Sequence, residues 1–178
     1  MMEHISEHQS GELQEQGSSK AEQYQLLAEQ LGSVFENESD FIANMANFSA
    51  LIYHSLADLN WAGFYILRGD ALILGPFQGQ PACVRIPLGK GVCGTSAQRW
   101  ETIRVDDVHQ FPGHIACDSA SQSEIVIPII KEERLVGVLD LDSPILKRFD
   151  ADDAAGLEAL ISIFMSLTII PQQSTNAL

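Results

Sequence analysis

Glu-Ile-Val-Ile-Pro-Ile-Ile, residues 124–130, and Leu-Val-Gly-Val-Leu-Asp-Leu-Asp, residues 135–142, are two apolar runs separated by the polar residues 131–134. Their length and their β-branched side chains predict two strands joined by a short turn. Because side chains alternate between the faces of a strand, Asp140 and Asp142 point to one face, and Leu139 and Leu141 point to the other. The second strand therefore carries two carboxylates on one side of a sheet.

Outward from this pair, the sequence predicts four more strands and four helices. The six predicted strands span residues 60–67, 71–77, 83–88, 102–105, 124–130 and 135–142. The predicted helices begin at residue 21 and at Ser39-Asp40, with Ser39 as the N-cap, and span residues 95–100 and 150–170. This order predicts an α+β fold with a six-stranded, mainly antiparallel sheet flanked by helices.

The length of 178 residues indicates one domain, which we assign to residues 21–170. Residues 1–20 are polar and are predicted to form a disordered acidic tail, and residues 171–178 form a short C-terminal tail. We therefore expect no output domain on either side of the fold.

The net charge of −14 argues against partners with an anionic surface. A chain this acidic repels nucleic acid and anionic membranes, so we expect neither as a partner. No basic segment leads into an apolar one, and no apolar run reaches about 18 residues, so neither a signal peptide nor a membrane span is predicted. Three cysteines without a secretion signal point to the reducing cytoplasm.

The three cysteines are the candidates for chemistry. Cys117 lies in the long polar loop 109–123, where a thiol can be exposed, and Cys83 and Cys93 lie upstream. Redox chemistry between a nucleophilic and a resolving cysteine fits this arrangement best. A zinc site formed by Cys83, Cys93, His114 and Cys117 stays open although its spacing is poor, as does a set of inert buried thiols.

The glycine-rich stretch of residues 89–94 precedes a predicted helix. It lacks the spacing of a Walker phosphate loop, so a tight turn is the better interpretation. Cys93 lies near the start of that helix, where the helix dipole would favour its thiolate. Farther upstream, Trp61 and Tyr65 are four residues apart on a strand and share a face, as core aromatics or as part of a pocket.

Six motifs stand in one order along the chain, and together they resemble the free methionine-(R)-sulfoxide reductases, single-domain enzymes of the GAF fold. The motifs occupy residues 61–65, 75–83, 91–94, 114–117, 123–126 and 137–143. The resemblance implies a small pocket on one face of the sheet. It implies that Cys117 is the catalytic nucleophile and Cys83 the resolving cysteine, with Cys93 as an alternative resolving residue. It also implies five substrate-binding residues: Trp61, Tyr65, Glu124, Asp140 and Asp142.

The resemblance implies reduction of free methionine (R)-sulfoxide through a cysteine sulfenic acid and an intramolecular disulfide. It implies electrons from thioredoxin, no bound cofactor and no metal, and it leaves a homodimer open. The rival interpretations are a GAF module that senses a small ligand and a thiol-based redox sensor. One carboxylic acid of the predicted site should stay neutral and donate a proton, but the sequence does not distinguish which.

The predicted site should favour a cation. Asp140, Asp142 and Glu124 are acidic, and Lys131 is the only Lys or Arg within seven residues of Glu124. A free amino acid carries an ammonium group, whereas a residue inside a peptide has a neutral amide at the same place. We therefore expect the free amino acid to be preferred over a peptide.

Overall fold

A computed structural model describes residues 19–113 and 119–171 of the chain. The helices are α1 (Lys20–Phe35), α2 (Phe41–Ser55), α3 (Gly91–Arg99) and α4 (Ala151–Leu167), with a short 3-10 helix at Val108–Gln110. The strands are β1 (Trp61–Arg68), β2 (Ala71–Gly79), β3 (Arg85–Pro87), β4 (Ile103–Val105), β5 (Ser123–Lys131) and β6 (Arg134–Ser143).

The six strands form one sheet in the order β3-β2-β1-β6-β5-β4, and every neighbouring pair is antiparallel. This confirms the predicted α+β class and the six-stranded antiparallel sheet. The chain's last strand, β6, lies in the middle of the sheet, between β1 and β5. Side chains from three strands therefore meet on each face of the sheet at β6.

One face of the sheet is covered by α1, α2 and α4 over an apolar core. Phe48 of α2, Phe64 of β1 and Phe164 of α4 meet there, with ring centroids 5.3 to 6.0 Å apart. Leu139 and Leu141 of β6 belong to the same core, as the strand alternation predicts. The opposite face is covered by α3 and carries a second, smaller apolar cluster.

The first helix is tied to the last by a buried acid. Asp153, in the first turn of α4, is 1% exposed, and its carboxylate accepts a hydrogen bond of 2.9 Å from the Tyr24 hydroxyl. The same carboxylate pairs with Lys20 and lies 3.3 Å from Nη1 of Arg148. Gly156 packs beneath the Tyr24 ring so closely that a Cβ would lie 2.2 Å from it. The two helices therefore meet through one specific contact patch.

Two helix ends differ from the predictions. The N-cap of α2 is Asp40 and not Ser39, because the Asp40 carboxylate accepts the amide of Ala43 at 2.8 Å. Helix α4 ends at Leu167, because the amide of Ile169 bonds instead to the carbonyl of Ser39 at 2.9 Å. The following Thr168 accepts a hydrogen bond from Asn44, which holds the chain in an extended conformation.

Two further differences between predicted and observed element boundaries concern the segments that carry Cys93 and Cys83. Helix α3 begins at Gly91 and not at residue 95, so Cys93 is part of its first turn. Strand β3 begins at Arg85, so Cys83 is not on a strand as predicted but lies in an irregular segment just before β3. At the other end, α1 begins at Lys20, one residue before the predicted start, with Ser19 as its N-cap.

In the described part of the chain, all helices are too short or too polar to cross a bilayer. The predicted tail falls almost entirely on residues 1–18, and most of the C-terminal tail on 172–178; both segments lie outside the described residues.

The turn between β5 and β6 provides a test of backbone strain. Glu132 and Glu133 both adopt left-handed conformations, with φ of 49° and 56°, in a two-residue turn closed by the pair of Lys131 and Arg134. We expect replacement of both by Asn-Gly to raise the free energy of unfolding by roughly 1 to 2 kcal/mol, because this sequence suits the type I′ turn. Chemical denaturation measures the change. The Gln-Gln variant, which removes the charges but keeps the Cβ atoms, should not show this gain.

Candidate active site

The α3-facing side of the sheet brings the predicted acids together. In the register of the sheet, Asp142 of β6 is opposite both Trp61 of β1 and Glu124 of β5, and Asp140 is opposite Gly63 of β1. Paired residues on neighbouring strands share a face. Three carboxyl groups and the Trp61 ring therefore lie on the same patch of the sheet, as the alternation of β6 predicts for its two acids.

The aromatic wall of this patch depends on a glycine. The Trp61 ring stacks against Tyr65 with centroids 5.8 Å apart, and against Phe77 of β2 with centroids 5.3 Å apart. A Cβ on Gly63 would lie 2.3 Å from Cβ of Phe77 and 2.7 Å from the Trp61 ring. No larger residue fits beneath the indole. The indole N–H donates to the carbonyl of Gln80 at 3.1 Å, which orients the ring.

The carboxyl groups are buried to different extents. Glu124 is 5% exposed and Asp140 is 6% exposed, whereas Asp142 is half-buried. Burial raises the pKa of Asp140 to about 7. Burial also raises the pKa of Glu124 well above its ordinary value, and the nearby charges of Asp140 and Asp142 add to the shift. The site can thus hold a carboxylic acid in its neutral form near neutral pH.

Cys93 lies over these acids. It is a free thiol, 3% exposed, and its Sγ donates to Oε1 of Glu124 at 3.9 Å. Burial, followed by the negative charges of Asp140 and Glu124, raises its pKa well above the ordinary value. The expectation that the helix dipole favours a Cys93 thiolate is therefore wrong, because burial beside two acids outweighs the dipole.

The other two cysteines of the predicted site are Cys83 and Cys117. Cys83 is half-buried and engaged in a disulfide bond. Its neighbour Ala82 lines the same pocket as the acids. Cys117, the predicted nucleophile, and His114 lie outside the described residues. The zinc site considered from the sequence would need a free Cys83 thiolate, which the disulfide form does not offer.

All five predicted substrate-binding residues line one pocket, together with Cys93. Its cavity volume is about 40 Å³, well below the roughly 300–1,000 Å³ usual for drug-sized ligands, so the pocket is narrow. Among the other lining residues are three with polar side chains that the sequence reasoning missed: Gln80, Lys90 and Ser121. Lys90 is far from the acids in sequence, and the charge pattern did not show that the start of α3 folds over them.

The cation near the site is thus Lys90 and not Lys131. The Lys131 ammonium donates to the carbonyl of Met165 at 3.1 Å, on the side of β5 that faces α4. Lys90 is exposed and lies directly before α3, whose first amides point out of the helix N-terminus. One side of the pocket is therefore acidic, and the rim near α3 is suited to an anion.

Comparison with known proteins gives consistent results. Residues 25–166 match the family model of the GAF domain. A free methionine-R-sulfoxide reductase of Escherichia coli is 51% identical over 143 residues, which are 80% of this chain and 87% of the relative. The free methionine-R-sulfoxide reductase of Neisseria meningitidis, solved in complex with its substrate, is 43% identical with a TM-score of 0.82; the match covers 85% of this chain and 91% of that one.

A third match is the substrate complex of the Staphylococcus aureus protein named fRMsr. It is 53% identical to this chain with a TM-score of 0.78, and the match covers 81% of this chain and 94% of that one. In both solved complexes the match covers more than four fifths of this chain.

Burial of Asp140 predicts a pH-dependent stability. Its pKa rises from 3.8 to about 7 on folding, so its contribution is fully present below about pH 4 and is lost as the pH rises to about 7. Asp140→Asn removes the titrating group. The free energy of unfolding of the variant, relative to that of wild type, should therefore rise by at least about 1 kcal/mol as the pH goes from about 4 to about 7. Denaturation at several pH values measures this. The exposed Asp106→Asn should show no such trend, and an equal trend in both variants would contradict the prediction.

Proposed function

This chain belongs to the free methionine-R-sulfoxide reductases, a family of GAF-domain oxidoreductases, and we propose that Cys117, Cys83 and the acidic pocket carry out its reaction. The reaction converts free methionine (R)-sulfoxide to methionine. One observation carries the proposal: three carboxyl groups and a stacked tryptophan lie in one buried pocket, next to the segment that holds the disulfide-bonded Cys83.

The pocket binds the two ends of a free amino acid at opposite sides. Asp142, half-buried and directly opposite Glu124, pairs with the substrate ammonium together with Asp140. Lys90 and the first amides of α3 donate hydrogen bonds to the substrate carboxylate at the rim. The methyl sulfoxide end then lies against the Trp61 ring, because sulfur and methyl groups pack well on aromatic rings. A residue inside a peptide has neither charge and loses both contacts.

Glu124 is the proton donor. It is more buried than Asp142, and burial and neighbouring charges keep its pKa raised. The Cys117 thiolate attacks the electrophilic sulfur of the sulfoxide while Glu124 protonates its oxygen. The attack forms a bond between the two sulfurs. The protonated oxygen then moves to the sulfur of Cys117 while this S–S bond and the substrate S–O bond break, and methionine leaves. Cys117 is oxidised to a sulfenic acid and the substrate sulfur is reduced by two electrons.

Cys83 resolves the sulfenic acid. Its thiol attacks the sulfenic sulfur of Cys117, so that an S–S bond forms and water leaves. The support for Cys83 over Cys93 is that Cys83 is the oxidised cysteine, whereas Cys93 is a buried free thiol with a raised pKa. A dithiol then opens the bond by exchange, and thioredoxin is the reductant we propose. Dependence on a reduced dithiol suits the cytoplasm. A homodimer stays a prediction.

The reductase activity is tested by NADPH consumption with thioredoxin, thioredoxin reductase and free methionine sulfoxide. Wild type should consume NADPH with the (R) epimer, and a peptide that contains the sulfoxide should be at least about a hundredfold poorer in kcat/KM. Cys117→Ser should retain less than about 1% of this activity, because a hydroxyl is a far weaker nucleophile. Equal rates with peptide and free amino acid would exclude the proposed recognition.

The resolving cysteine is tested by comparing Cys83→Ser with Cys93→Ser. Cys83→Ser should form about one methionine per chain in a single turnover and then stop with thioredoxin, since the thiol proposed to condense with the sulfenic acid is gone. Cys93→Ser should continue to turn over. The opposite pattern would make Cys93 the resolving residue. Mass spectrometry of the trapped chains identifies the oxidised cysteine in each case.

The roles of two acids are separated by matched amide variants. Glu124→Gln should lower kcat by roughly 10²- to 10⁴-fold, because the proton donor is lost. Asp142→Asn should instead raise KM about tenfold or more and lower kcat less, because it removes a charge that binds the ammonium. In wild type, kcat should fall as the pH rises through the raised pKa of Glu124, where the acid form disappears. A collapse of kcat in Asp142→Asn alone would exchange the two roles.

A further inference from the structure

Cys93, Glu124 and Asp140 form a group whose composition goes beyond what the proposed reaction uses. One ligand atom from each, a sulfur and two carboxylate oxygens, lies within 4.8 Å of the other two. The three residues come from α3, β5 and β6, so the sheet register and the packing of α3 create the group. In the proposed reaction Cys93 has no step, which leaves the placement of this thiol unexplained.

A second observation points to a missing ligand. Oδ1 of Asp140 is buried and has no hydrogen-bond partner among the described residues. Asp140 itself is 6% exposed and lines the pocket. A buried carboxylate oxygen without a partner is costly, and native proteins usually satisfy such an atom with a proton donor, a water or a cation. The groups beside it are the Cys93 thiol, a weak donor, and the Glu124 carboxyl, which donates only when it is protonated.

We propose that Cys93, Glu124 and Asp140 bind a thiophilic divalent cation of the Zn²⁺ type, which competes with the substrate. One thiolate and two carboxylates are ligands that Zn²⁺ accepts, at roughly 2.3 Å for sulfur and 2.0–2.2 Å for oxygen. The three ligand atoms lie within 4.8 Å of one another, so a metal between them draws them closer together. The pocket opening leaves a fourth position for water, as in zinc sites with three protein ligands.

Thiolate selects against Mg²⁺ and Ca²⁺, which prefer sites made of oxygen alone. Binding displaces the protons that the three groups hold, so the cation replaces protons and no oxidation step is involved. Because Asp140 would also hold the substrate ammonium, cation and substrate exclude each other. This competition rests on the proposed function, whereas the cation site itself does not.

The test uses the Cys83→Ser/Cys117→Ser double variant, in which Cys93 is the only thiol and the reactive pair cannot bind metal. Cd²⁺ is the probe, because a thiolate bound to it gives a charge-transfer band in the ultraviolet. We expect the band to saturate at one Cd²⁺ per chain and Zn²⁺ to abolish it by displacement. The band should disappear when Cys93→Ser is added. Absence of a saturable band in the double variant would overturn the proposal.

Asp140→Asn in the same background provides a test that keeps the thiol. It should weaken Cd²⁺ binding by at least about tenfold, the lower end of what the loss of even an outer partner costs. The exposed Asp106→Asn should leave binding unchanged, and thermal unfolding should show that each variant is folded. Equal affinity in the Asp140 and Asp106 variants would mean that Cys93 binds metal as an isolated thiol, which overturns the site.

Competition is measured separately. Free methionine sulfoxide should raise the Cd²⁺ concentration needed for half-saturation of the double variant, in proportion to its own occupancy. If the band saturates and depends on Asp140 but the sulfoxide has no effect, the cation site stands and the competition is overturned. If wild type shows no reductase activity, the proposed function is refuted while the Cd²⁺ band is unaffected. Failure of the proposed function is therefore distinguishable from failure of the cation site.

Discussion

The register of β6 between β1 and β5 is the constraint on which the site depends. Because Asp142 is opposite both Trp61 and Glu124, a shift of one residue would turn the acids into the apolar core and the leucines out of it. Such a shift would bury charges among the phenylalanines of α2 and α4. The apolar face therefore enforces the register, and the register in turn forces the carboxyl groups together on the other face.

This arrangement explains how far the sequence could be interpreted. Alternation along β6 predicted correctly that Asp140 and Asp142 share a face and that Leu139 and Leu141 face the core. The two-residue periodicity is a local property, so one strand suffices to see it. The sheet, its antiparallel pairing and the gathering of five candidate residues around one pocket followed from the same periodicity and from the six motifs.

What the sequence could not provide was set by contacts between distant segments. Lys90 lines the pocket because α3 folds over the acids, and nothing near Glu124 in the sequence indicates this. The raised pKa of Cys93 likewise comes from burial against β5 and β6, which outweighs the local effect of the helix start. The sequence predicts a strand over residues 83–88, but the ladder to β2 begins only at Arg85.

The contact between α1 and α4 constrains the order in which the fold is completed during synthesis. Tyr24 and Lys20 meet Asp153 across about 130 residues of chain, so α1 emerges from the ribosome long before its partner exists. Its apolar face, formed by Tyr24, Leu27 and Leu31, stays uncovered while the strands are synthesised. The central strand β6 is also late in the chain. Nascent chains therefore expose this helix until α4 has been made, and during that time a chaperone that recognises apolar helices would find it.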